Sequence, residues 1–70
     1  MQPTTLYDVV LDWHGVNRIR VIKVLTDIYG YSLSKAKSIV DNTPSIAGTG
    51  MHKLNAIVMR DALMAAGGIH

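Results

Sequence analysis

Cysteine is absent from the 70 residues, which excludes disulfide staples, thiolate metal sites and a cysteine nucleophile. A reducing compartment accords with that absence. No apolar run approaches the ~18 residues of a membrane-spanning helix. The opening stretch MQPTTLYDVV has no basic region followed by an apolar one, so no secretory signal is read there. A cytoplasmic protein is expected. Internal repeats, low-complexity tracts and linkers are also missing, and residues 1–70 read as one domain. Catalytic constellations are not apparent. His14, His52 and His70 lack metal-ligand spacing. Asp12 and His14 could approach one another at a strand end, yet no serine is placed to complete a nucleophilic set. GTGMHK, residues 48–53, departs from phosphate-loop spacing and reads as a flexible turn into a helix. The expectation is a non-enzymatic protein without metal or cofactor.

What is present begins with apolar residues, 49% of the chain, enough for a small core. Charge is uneven. Five of the seven cations, Arg18, Arg20, Lys23, Lys35 and Lys37, fall in a stretch whose one acid is Asp27. That stretch carries a net +4 and the remainder −2. A local basic patch steers acidic partners.

In TTLYDVVLDW, alternation sets Tyr7, Val9 and Leu11 on one face of a strand with one covered side. Trp13 at its end reads as packed over the sheet edge, with an exposed contact role as the alternative. Asn17 is placed to cap a helix from Arg18 to Tyr29, whose stripe Val21, Val24, Leu25 and Ile28 faces the core. Ile19 falls away from that stripe, beside Lys23 and Thr26, and Ile22 lies at its margin, above Arg18. Gly30 ends the helix. Ser32 or Ser34 caps a second one, with Leu33, Ala36, Ile39 and Val40 inward and Lys35 and Lys37 outward. A turn at NTP leads to a short strand around residues 45–47, and MHKLNAIVMRDALMAA is a third helix closed by Gly67 and Gly68. Ile69 and His70 are left for a last strand. The order is β-α-α-β-α-β.

These residues carry a resemblance. Asp8-Val9, Gly15, Asn17, Val21-Ile22-Lys23, Gly30, Leu33, Ala36-Lys37, Val40, Pro44 and Ala66-Gly67 resemble the C-terminal domain of the bacterial ribosomal stalk protein, from about Tyr7 to Ile69. The resemblance implies an α+β fold, a three-stranded antiparallel sheet covered on one face by three helices, with the last strand short here. It also implies a docking surface on the first two helices for translational GTPases: elongation factors Tu and G, initiation factor 2 and release factor 3. Arg18, Ile19, Ile22, Lys23 and Lys37 match the family's contact positions. Thr26 stands where the family usually has arginine, Tyr31-Ser32 where it has Leu-Gly, and Ser34-Lys35 where it has Lys-Glu. The family's dimerising N-terminal domain and hinge have no counterpart in these residues. The expectation is a stand-alone relative, phage-encoded or from another mobile element.

Two surfaces are expected to act. The outer face of the first two helices, Arg18, Ile19, Ile22, Lys23, Lys35 and Lys37, suits a protein partner that is apolar and acidic. On the third helix, Ala56, Met59, Ala62 or Leu63, and Ala66 face inward, leaving Leu54, Ile57, Val58 and Met64 outward as a patch for self-association as a homodimer. Two alternatives weigh less. One is a small nucleic-acid-binding protein using the first two helices as a helix-turn-helix, which offers few cations and no arginine in its second helix. The other is an adaptor-like module of the Clp protease, whose acidic pocket has no counterpart here.

Overall fold

A computed structural model describes residues 5–68. Five elements follow one another: β1 (Tyr7–Leu11), α1 (Arg18–Asp27), α2 (Leu33–Asp41), β2 (Ser45–Met51) and α3 (Lys53–Ala65). β1 and β2 pair antiparallel, with Val9 opposite Gly48, Val10 opposite Ile46 and Leu11 opposite Ser45. The fold is α+β, and among the described residues its sheet is two-stranded. The expected third strand, at Ile69 and His70, lies outside them.

The sheet turns one face to the helices. Val9, Leu11 and Ala47 are buried, while Val10 and Ile46 on the other face are exposed. α2 and α3 pack on the sheet, and α1 packs against both of those helices. The core gathers Val9, Leu11, Val21, Ile22, Leu25, Ala36, Ile39, Val40, Ala47, Met59, Leu63 and Ala66. Tyr31 locks the α1–α2 turn onto the sheet, its hydroxyl donating to the Ala47 carbonyl at 2.6 Å.

Gly15 makes the tightest approach. Its φ is +69°, and a Cβ placed there would fall on the carbonyl oxygen of Gly67. Gly67, at φ +101°, in turn lies against the Asn17 side chain. The turn before α1 and the end of α3 thus meet backbone to backbone, which only glycine permits.

Several expectations are corrected. At 100° per residue, the buried side of α1 is turned by roughly 60° from the expected stripe. Ile22 enters the core at 6% exposure, and Ile28 is exposed. The cause lies across from each: α1 is wedged against both α2 and α3, which encloses Ile22, whereas Ile28 faces the small side chains Ala62, Ala65 and Ala66. Leu33 opens α2 in its first turn and is exposed. Tyr7 is exposed because the ladder slips register between Tyr7 and Val9, which breaks the alternation. GTG is no flexible turn, because β2 runs through Met51. Asn17 holds the N-cap position, but its side chain makes no capping bond. Trp13 is 46% exposed and tilts against the His14 ring at 5.1 Å. The third-helix stripe of Met59, Leu63 and Ala66 is buried, with Ala56 and Ala62 half-buried.

Candidate functional site

The outward side of α1 is set by helical spacing. Ile19 and Lys23, one turn apart, stack on the same strip, and Ile19 is 69% exposed. Ile22, expected to join them, contributes from below as a core residue. α2 presents Lys35 and Lys37 to solvent because Ala36, Ile39 and Val40 take the inward positions. Ser32 caps α2, accepting from the Lys35 backbone N–H at 3.1 Å. The Lys35 ammonium is drawn back over the Tyr31 ring, 4.2 Å from its centroid, a contact that favours a cation through the ring's negative face.

Arg18 differs from its neighbours. Its Nε and Nη2 donate to the two carboxylate oxygens of Asp41, each at 2.8 Å. The fork ties the start of α1 to the end of α2. Each charge alone stands at the unfavourable end of its helix dipole, and pairing offsets both. Arg18's hydrogen bond, with lesser help from His14 and Lys37, holds the Asp41 carboxyl below its ordinary range. The same bond raises the Arg18 guanidinium above its usual value, against a small opposing effect of burial. Arg18 therefore acts as a brace. Arg20, Lys23, Lys35 and Lys37 make no ion pair among the described residues and supply the positive field.

A groove of about 490 Å³ continues this face toward α3. Arg20, Lys23, Val24, Asp27 and Ile28 form one wall, and Ala62, Ala65 and Ala66 the other. Sequence reasoning counted Arg20 in the basic stretch but not in the contact face, and it set Val24 and Ile28 in the core stripe, where Val24 is half-buried against the core and Ile28 is exposed. The signal was present in the run of alanines on α3, which cannot fill the space opposite a large side chain.

The self-association residues divide. Leu54, at 76% exposure, Val58 and Met64 are exposed on α3. Ile57 is half-buried and lines a separate groove of about 440 Å³ against β1. Arg60 and Asp61 pair at 3.3 Å beside the patch. His14 contacts the neighbouring Gly15 carbonyl oxygen through Nδ1, at 2.6 Å. Among the described residues, no three His, Cys, Asp or Glu side chains gather as metal ligands, and no helix is long and apolar enough to cross a membrane.

Comparison with known proteins agrees with this architecture. Residues 7–69 match the family described as the ribosomal protein L7/L12 C-terminal domain. The large ribosomal subunit protein bL12 of Geobacillus stearothermophilus is 43% identical over 63 residues, covering 90% of this chain and 52% of that protein. The Aquifex aeolicus protein of the same name is 41% identical over 63 residues, covering 90% and 49%. That of Dictyoglomus thermophilum is 36% identical over 69 residues, covering 99% and 55%. The chain spans about half the length of these curated relatives. With 63 residues matched and its glycine joint, helix hairpin and third helix following one another in the expected order, the chain belongs to the ribosomal protein L7/L12 C-terminal domain family.

Proposed function

We propose that this domain is a non-enzymatic interaction module whose α1–α2 face docks an apolar, acidic surface of a translational GTPase. The carrying observation is Ile19, exposed at 69% and flanked by cations that no acid of this molecule neutralises among the described residues. An exposed branched apolar centre with a charged rim is the anatomy of a protein interface. Ile19, Lys23 and Lys37 make the contact, Lys35 adds charge from its seat on Tyr31, Arg18 braces the two helices, and Ile22 supports Ile19 from the core. The relatives are named as large-subunit ribosomal proteins, and the family resemblance supplies the GTPase as partner. The charges act mainly on association rate and specificity.

The test is binding of purified translational GTPases to wild-type protein and to Lys23→Glu/Lys37→Glu. The double variant should lose roughly tenfold or more in affinity at low salt, and the difference should shrink as salt is added. Unchanged affinity would place the interface elsewhere. The helix-turn-helix reading gains nothing from the geometry, since one of its two α2 cations, Lys35, is held over a tyrosine ring.

The α3 patch is the second part of the proposal. Leu54, Val58 and Met64 form a surface that pairs with a second copy of the chain, and Ile57 contributes from its edge. Sedimentation across a concentration series checks it: a monomer at every concentration would overturn it.

A further inference from the structure

α1 has a second outward flank. At 100° per residue, Arg20, Val24, Asp27 and Ile28 fall about 80° to 180° round the helix from Ile19. Arg18, whose fork reaches α2 through Asp41, falls about 100° round in the other direction. The flank therefore looks away from α2 and onto α3, and Lys23 stands between it and Ile19.

There the two helices leave the groove of about 490 Å³, with Ala62, Ala65 and Ala66 as its second wall. The chain closes tightly where Gly15 meets Gly67. Along the groove, the α3 side chains are no larger than a methyl group, and the space opposite Val24 and Ile28 stays open. Ile28 is 62% exposed, and Arg20, Lys23, Asp27 and Ala65 are exposed with it. From Arg20 to Ile28 the α1 wall runs about 12 Å.

Charge selects the occupant. Arg20 and Lys23 stand one turn apart on the α1 wall, an arrangement in which like charges oppose each other. Neither has an acid as partner: the ion pairs among the described residues are Arg18–Asp41 and Arg60–Asp61. The one acid lining the groove, Asp27, lies a turn beyond Lys23 and accepts from the adjacent Thr26 hydroxyl at 3.3 Å. The α3 wall is uncharged. The groove is thus positive toward the start of α1, negative toward its end, and apolar between.

We propose that this groove binds an amphipathic helix of a partner protein, with apolar side chains at i, i+4 and i+7, acids beside the first of them and a cation beside the last. Those three side chains span about 10.5 Å, close to the length of the wall, and rest on Val24, Ile28 and the alanines. The acids lie against Arg20 and Lys23, and the cation against Asp27. Acids at its N-terminal end and cations at its C-terminal end also suit the partner helix's own dipole. A helix laid in an apolar groove is read through such anchors, and methyl-sized walls let its backbone come close. α3 of a second copy is a poorer occupant: Leu54 and Val58 are one turn apart, but Asp61 takes the third contact position. The groove shares Lys23 with the α1–α2 face and otherwise stands apart from it.

The probe is the peptide acetyl-Ser-Glu-Glu-Leu-Glu-Ala-Ala-Leu-Lys-Ala-Leu-Lys-Lys-Ala-amide, titrated into the full chain and followed by amide NMR shifts. Binding below about 1 mM is expected, with shifts along residues 20–28 and 62–66. A peptide with glutamates and lysines exchanged should bind roughly fivefold more weakly at low salt, and one with alanine for the three leucines should not bind. Ile28→Gln and Arg20→Glu, both at exposed positions, should keep the helical circular dichroism of the wild type and each lose roughly fivefold in affinity. Lys37→Glu, on the α1–α2 face, should bind the peptide as the wild type does, so that failure of that face and failure of the groove read out separately. The proposal is overturned by shifts confined to Ile19, Lys35 and Lys37, by equal binding of the charge-exchanged peptide, or by wild-type binding of Ile28→Gln. Groove amides that shift with protein concentration in the absence of peptide would overturn it in favour of a second copy.

Discussion

Two helices of this domain, α1 and α3, both leave branched apolar side chains in water, and they do so in different electrostatic settings. Beside Ile19 on α1 stand Arg20 and, one turn on, Lys23, and α2 exposes Lys37, none of them paired with an acid among the described residues. Around Leu54 and Val58 on α3, Arg60 is paired with Asp61, and the surface is closer to neutral. An apolar group inside an uncompensated field favours one sign of partner and loses affinity with salt. An apolar group on a near-neutral ridge has no such selectivity, and a surface identical to itself is an acceptable mate. Under the proposal above, branched apolar side chains at comparable exposure, Ile19 at 69%, Leu54 at 76% and Val58 at 61%, suit different interfaces because their neighbours differ.

The largest expected effect breaks the joint that both helices share. Gly15→Ala adds a Cβ where the Gly67 carbonyl stands, at a φ that alanine resists. It should destabilise the domain by more than about 2 kcal/mol, lowering Tm and separating the start of α1 from the end of α3. Equal stability in thermal unfolding would mean that the contact is not close.

Next comes a pair of isoleucines on one helix. Ile22→Ala removes a core side chain and should cost about 2–4 kcal/mol in denaturant unfolding. Ile19→Ala should change stability by less than about 0.5 kcal/mol and yet weaken GTPase binding. Should Ile19→Ala leave binding intact, the apolar centre of the α1 face is misassigned.

A third substitution set sharpens the contrast between the faces. Leu54→Asn with Val58→Asn should abolish self-association and leave GTPase affinity unchanged. Lys23→Glu/Lys37→Glu should do the reverse. Loss of both properties in either variant would show that the two surfaces are one.

The smallest effect concerns the Arg18–Asp41 brace. Asp41's folded pKa is lowered from its ordinary 3.8, with the Arg18 hydrogen bond as the first cause. The stabilisation from this pair is fully present above that ordinary value and fades as pH falls through the lowered folded value. Because both side chains are largely solvated, the change is small. Carboxyl titration by NMR should show Asp41 below its ordinary value, and Asp41→Asn should remove that component of the acid-side stability loss.

The sequence by itself determined the element order from β1 to α3, since alternation in residues 7–11 and 3.6-residue spacing in the helices are properties of local chain geometry. It also determined that Ile19 and Lys23 share an outward strip, that Gly30 ends α1, and that Met59 faces inward, while the choice between Ala62 and Leu63 fell to the packing, which buries Leu63. Which neighbours close over a side chain was decided elsewhere. Ile22 and Ile28 are equivalent as residue types and both lie near the apolar stripe; Ile22 is buried because α2 and α3 both press on α1, and Ile28 is exposed because the facing α3 residues are alanines. Arg18 looked like one more surface cation until the hairpin brought Asp41, 23 positions away, within 2.8 Å. Tyr7 lost its place in the core to a slip in strand register.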